Sequence, residues 1–259
     1  MILIPLPAYG FDPTEAAVPW WYVYKAGHRI VFATPDGMPS HADPRLVNEG
    51  FGLWSPFLMT RTDSLEKYRE MVSDHAFQHP LSYDDVNTKQ ITAVLIPGGH
   101  EKGVKTLLES ARMQQIMVEL FDRDVPVGAV CHGVVLLARS RSPKTGRSVL
   151  FGRKTAALTN FMELSAWWMT RWSLGDYYRT YPITVQDEVA ASLAKPDDFQ
   201  NGPFWLRRDT ESKPERGFVV RDGNYLSARW PGDCHHFGQA YVQLLAEQLS
   251  GGDPDKQSV

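Results

Sequence analysis

The sequence predicts an α/β fold, a mostly parallel central sheet with helices on both faces. Short β-rich runs alternate with longer helical patterns, the signature of strands joined by helical crossovers. The runs ending at Pro97 and Val130 are almost wholly apolar, as strands covered on both faces must be. With 259 residues and 43% hydrophobic content the chain can fill a sizeable core, and residues 1–259 read as one domain with a flexible tail over 251–259.

The elements follow in order. "ILIPL" (2–6) is the first strand, and residues 15–26 carry the first helical pattern. "RIVFAT" (29–34) is the second strand. From Pro35 to Asn87 many Pro, Gly and Asp breaks predict loops with one short helix near 64–75, and no chemistry is placed there. "ITAVLIP" (91–97), a helix over 104–122, "VPVGAV" (125–130) and a helix over 132–141 form the apolar centre. Residues 161–181 crowd Trp167, Trp168 and Trp172 with Tyr177, Tyr178 and Tyr181 into a small tryptophan-rich helical insertion. That insertion reads as a cover for the core or a dimer contact ahead of an aromatic wall over a pocket. "ITVQDEVAASLA" (183–194) is amphipathic, "GFVVRDGNYLSARW" is a hairpin turning at Asp222-Gly223, and residues 234–249 form the last helix.

Composition narrows the function. Net charge is −3 and no block of like charges is long enough for a nucleic-acid or membrane surface, so the expected partner is a small molecule. No stretch of about 18 apolar residues occurs, and the N-terminal "MILIPLPAYGFDPTE" lacks a basic leader. Two cysteines cannot make a disulfide framework, and a reducing cytoplasm is the expected compartment. Neither a Walker loop nor a dinucleotide glycine fingerprint is present, so no cofactor is expected. "DCHHFG" (233–238) resembles metal ligands, but neighbouring helical side chains diverge, and no metal is expected.

The chemistry centres on Cys131. It falls between a strand and a helix, with Ala129 two residues before and Gly133 two after. A sharp strand-to-helix turn needs small flanking residues and pushes its central side chain out at the carboxyl edge of the sheet, as in a nucleophile elbow. The following helix N-terminus would favour a thiolate and depress the thiol pKa. The competing reading is an inert buried thiol. Adjacent helical side chains diverge by roughly 100°, so His132 is either a base folded back on the sulfur or a histidine that only caps the turn. "LIPGGHEKG" (95–103) ends a buried strand in two glycines. The Gly99 and His132 amides would form an oxyanion hole, and His100 could line the pocket beside them.

These stretches, with "PTEAAVP" (13–19), "AGHRIVFATPDG", "GRKTAALTNFMEL" and "VRDGNYLSARWPG", resemble the ThiJ/PfpI superfamily, in the branch of heat-shock chaperones and glutathione-independent glyoxalases. The resemblance implies a flavodoxin-like sandwich. It also implies Cys131 as nucleophile, the adjacent His132 as its partner, and Glu15 as an acid hydrogen-bonded to the sulfur with a raised pKa. Without it, Glu15 would read as a solvated glutamate in a first helical turn. The branch often places an acid after the strand written here "TAALT"; this chain has Asn160 there, with Glu163 as a substitute that could orient the histidine. Amidotransferase chemistry is not implied, because Val134 and Val135 follow Gly133 and no downstream His-Pro-Glu is present.

The expected function is a cofactor-free cysteine enzyme acting on small reactive carbonyls, methylglyoxal to lactate. The alternatives are a cysteine amidase or peptidase, and a stress-related holdase or redox sensor that uses Cys131. A homodimer is expected from the relatives' habit alone.

Overall fold

The computed structural model describes residues 1–251, Trp205 excepted; the predicted tail beyond Gly251 lies outside the described residues. Among the described residues nine strands form: β1 (Ile2–Pro5), β2 (Tyr9–Phe11), β3 (Ile30–Thr34), β4 (His41–Ala42), β5 (Leu81–Ser82), β6 (Ala93–Ile96), β7 (Val127–Val130), β8 (Val219–Asp222) and β9 (Tyr225–Ala228). Seven make one sheet in the order β5-β3-β1-β6-β7-β9-β8, with β2 and β4 paired separately. Every pairing in the large sheet is parallel except the β8–β9 hairpin, so the predicted flavodoxin-like architecture holds. The hairpin turn falls one residue later than predicted, because Asp222 still pairs with Tyr225 and leaves Gly223-Asn224 as the two-residue loop.

The longer helices are α1 (Pro13–Lys25), α2 (Thr62–Ser73), α3 (Ala111–Asp122), α4 (Gly133–Arg139), α5 (Asn160–Leu174), α6 (Val185–Ala190) and α7 (Cys234–Gly251). Strand side chains alternate between two cores. Val94, Ile96, Val127 and Ala129 pack with Met113, Ile116 and Leu120 of α3 on one face. Ala93, Leu95 and Val130 pack with Trp20 of α1 and Phe237 and Tyr241 of α7 on the other. Gly128 faces those α7 rings, where a Cβ would sit 2.9 Å from both, so α7 can lie directly on β7.

Two predicted elements change in detail. The pattern over 104–122 is not one helix: Ser110 leaves helical geometry and its hydroxyl accepts from the Met113 amide, starting α3 afresh. The stretch from Pro35 to Asn87 contains the predicted helix as α2, but also the edge strand β5, too short and too polar to register as a periodic run. Both cysteines are free and buried. Among the described residues no helix is long and apolar enough to cross a membrane.

Candidate active site

Three adjacent parallel strands, β1, β6 and β7, deliver the site at their carboxyl ends, where an open α/β sheet offers a crevice. β7 delivers Cys131, which sits at φ +56°, the left-handed region that a non-glycine residue enters only under constraint. Its amide is held by the Ala228 carbonyl at 3.1 Å, which extends the β9 ladder one residue and fixes the elbow. Gly133 is required next, because a Cβ there would lie 2.7 Å from the Ile96 and Pro97 carbonyl oxygens. His132 turns back: its Nδ1 stands 3.5 Å from the Cys131 sulfur, and both residues are buried.

Glu15 reaches the same sulfur from α1. Asp12 caps that helix, its carboxylate accepting from the Thr14 amide at 2.7 Å and the Glu15 amide at 3.1 Å. Asp12 donates its own amide to the Gly98 carbonyl, and the Gly98 amide donates to Glu15 Oε2 at 3.0 Å, which stitches the loops after β1 and β6 together. The Glu15 carboxyl and the Cys131 thiol line the same cavity, close enough for each to perturb the other's protonation. A solvated first-turn glutamate is ruled out, since Glu15 is only 1% exposed.

Electrostatics revise the expectation of a helix-depressed thiol. Burial raises the Cys131 pKa well above its ordinary value, the Glu15 charge adds to this, and only the His132 amide pulls the other way. α4 has seven residues, and its end effect does not offset that desolvation. Glu15 is also lifted well above the carboxylate range, by burial and then by the Asp12 charge. Two negative charges cannot persist side by side in this pocket. Burial disfavours even one, so the thiol and the Glu15 carboxyl each hold a proton more tightly than in water. Burial and the Arg139 charge lower His132 to about 3, so its ring is neutral at pH 7 and acts as an acceptor rather than as half of an ion pair.

The sulfur opens on a cavity of about 120 Å³, several times what one water requires. Asp12, Glu15, His100, Cys131, Tyr178 and Arg208 are among the polar residues that line it. His100 lines it, as its position beside the glycines suggested, stacked on Tyr178 at 4.1 Å between centroids and held neutral by burial, at about 3. Gly99 packs instead against the Gly10–Asp12 backbone and does not line the cavity.

Asn160 and Glu163 do not reach the histidine. The Asn160 amide donates to Asp187 Oδ1 at 2.7 Å, and Glu163 accepts from the Val185 amide at 2.9 Å, so both tie α5 to α6. Glu163 still lines the cavity, and burial lifts its pKa to about 7. In "DCHHFG", His235 turns to Tyr22 and Asp63 while His236 Nδ1 donates to the Gly217 carbonyl, so the two rings share no ligand position.

Sequence reasoning missed several groups. Asp43 accepts hydrogen bonds from the Tyr177 hydroxyl and the Arg45 amide, and burial lifts its pKa to about 6. Arg208 lies over the Trp230 ring and donates to the Phe57 carbonyl. Leu46 and Phe57 line the cavity from the stretch where no chemistry was placed. None of these belongs to a motif. The tryptophan-rich segment was ranked as a cover or dimer contact, yet it does wall the pocket, through Met162, Ala166 and Met169; Trp168 and Trp172 point to solvent.

A strained cysteine elbow on a parallel sheet, flanked by a histidine and a buried carboxyl, defines a cysteine-centred α/β protein. The chain belongs to the ThiJ/PfpI family-like group, whose model matches residues 6–203. It is 27% identical over 165 residues to a deglycase of Thermococcus kodakarensis, covering 64% of this chain and 69% of that protein. It is 24% identical over 162 residues to a glutathione-independent glyoxalase of Schizosaccharomyces pombe, covering 60% and 61%. With an uncharacterized protein of the same yeast it shares 29% identity over 137 residues, 52% of this chain and about half (49%) of that protein's length. Glyoxalase III from Candida albicans shares the fold, with a TM-score of 0.68 at 18% identity over 94% of this chain and 96% of that one.

Proposed function

We propose that the chain is a cysteine-dependent enzyme that converts small α-oxoaldehydes to 2-hydroxy acids, with methylglyoxal and water giving lactate. The observation that carries the proposal is that Cys131 and Glu15 line one small cavity, with His132 Nδ1 3.5 Å from the sulfur. The names of two similar proteins, a glutathione-independent glyoxalase and glyoxalase III, support the substrate class.

In the proposed sequence the Cys131 sulfur adds to the aldehyde carbon, its proton passing to His132 Nδ1, and the new oxyanion meets the His132 amide. His132 passes its proton on to that oxygen, giving the hemithioacetal, and Glu15 or His132 then takes the hydrogen from the carbon as a proton and delivers one to the neighbouring carbon. The aldehyde carbon is thereby oxidised to a thioester while the ketone is reduced to an alcohol. Water cleaves the thioester, releasing the 2-hydroxy acid and the free thiol. A triad hydrolase is less well supported, because Asn160 is engaged with Asp187.

The test is lactate formation from methylglyoxal by the full chain and by Cys131→Ala. Wild type should turn over and the variant should lose at least about 10³-fold in kcat/KM, the scale of removing a nucleophile. Undiminished lactate formation by Cys131→Ala overturns the mechanism.

A further inference from the structure

We infer that the preferred substrate of this site is an uncharged α-oxoaldehyde bearing an aryl or branched alkyl group, rather than methylglyoxal; the inference rests on the carbonyl reading above. The thiol and its polar neighbours share the cavity with a wall that is mostly hydrocarbon and thioether, Glu163 and Ser165 being its polar members on α5, and a single methyl group would leave most of it uncovered.

That wall is built for a larger group. Met162, Ala166 and Met169 recur at i, i+4 and i+7 on α5, so one face of this helix looks into the cavity. Thioethers adapt to ligands of varied shape. Leu158, Phe57 and Leu206 line the same cavity. Phe57 is 69% exposed and Leu206 45% exposed, a cost in water that a bound apolar substituent crossing the mouth would reduce.

Charge argues against an anionic substituent. Asp12, Glu15 and Glu163 line the cavity against one cation, Arg208. A second carboxylate or a phosphate would enter an acidic, poorly hydrated chamber whose guanidinium already faces Asp12.

The experiment compares kcat/KM of the full chain for phenylglyoxal, methylglyoxal and 4-carboxyphenylglyoxal, reading mandelate, lactate and 4-carboxymandelate, and repeats it with Ala166→Leu. Phenylglyoxal should exceed methylglyoxal by about tenfold or more, the scale at which several added carbons are discriminated by an apolar pocket, and the anionic 4-carboxyphenylglyoxal should fall well below phenylglyoxal. Ala166→Leu fills the wall and should lower the ratio of kcat/KM for phenylglyoxal over methylglyoxal by about tenfold. Methylglyoxal turned over as well as or better than phenylglyoxal overturns the inference and leaves the carbonyl reading standing. If neither aldehyde is consumed, the carbonyl reading falls, and binding to Cys131→Ala decides the apolar wall alone through tryptophan fluorescence. Acetophenone binding about tenfold tighter than acetone, and weakened by Ala166→Leu, supports the wall; equal or absent binding overturns it.

Discussion

Gly98→Ala isolates the geometry that holds the site together. Gly98 lies at the contact of the β6 loop with α1 and the elbow. A Cβ there would stand 2.7 Å from Glu15 Oε2, 2.7 Å from the His132 nitrogen and 2.9 Å from the Val130 carbonyl oxygen, whereas ordinary contact begins at 3.4 Å. Two of those three atoms are backbone, so relief requires the loop or the elbow to retreat by several tenths of an ångström. Overpacking of this kind costs about 1–3 kcal/mol. Because the displaced groups are the carboxyl and the amide that flank the sulfur, turnover should fall by about 10²-fold, the penalty for misplacing a reacting group by roughly an ångström. The assays are methylglyoxal turnover, the iodoacetamide alkylation rate of Cys131, and the urea midpoint. Alkylation should change along with turnover, since it reports the same thiol without needing a substrate. A Gly98→Ala protein with unchanged turnover, alkylation and midpoint would refute the close approach on which the site depends.

Glu163→Gln tests burial of the cavity acid. The Glu163 pKa is raised by burial to about 7 from 4.5, so the folded protein binds the extra proton, and its stability falls as pH rises from about 4.5 to 7. That slope amounts to on the order of 3 kcal/mol. The amide keeps an acceptor for the Val185 amide, so urea unfolding at pH 5 and pH 8 should differ less in the variant than in wild type; an equal difference refutes the assignment. Asn160→Ala should leave kcat/KM within about twofold, since its amide serves Asp187 rather than His132, and a loss of tenfold or more would restore Asn160 as an orienting group.

Much of the architecture was legible because burial leaves a periodic imprint. "ITAVLIP" and "VPVGAV" could only be strands covered on both faces, and β6 and β7 lie at the centre of the sheet. Cys131 was legible for a related reason: small residues must flank a left-handed elbow, and they do. The restart at Ser110 and the strand β5 left no such imprint, since a cap interrupts an otherwise continuous apolar pattern and two residues define no period.

By itself the sequence determined the α/β class, the strand that carries the cysteine and the glycine-rich loop beside it, because each is a local demand of backbone geometry and burial on residue type. Only the tertiary structure decided that His132 folds onto the sulfur, that Glu15 is desolvated beside it, and that Asn160 is spent on Asp187. It also decided that Asp12 and Arg208 line the cavity that the thiol opens on, and that desolvation raises the thiol pKa more than a short helix lowers it. The reason is range. Periodicity and turn chemistry act over a few neighbours along the chain, whereas a side chain's direction, hydration and charge environment are set by residues brought close only when distant segments pack.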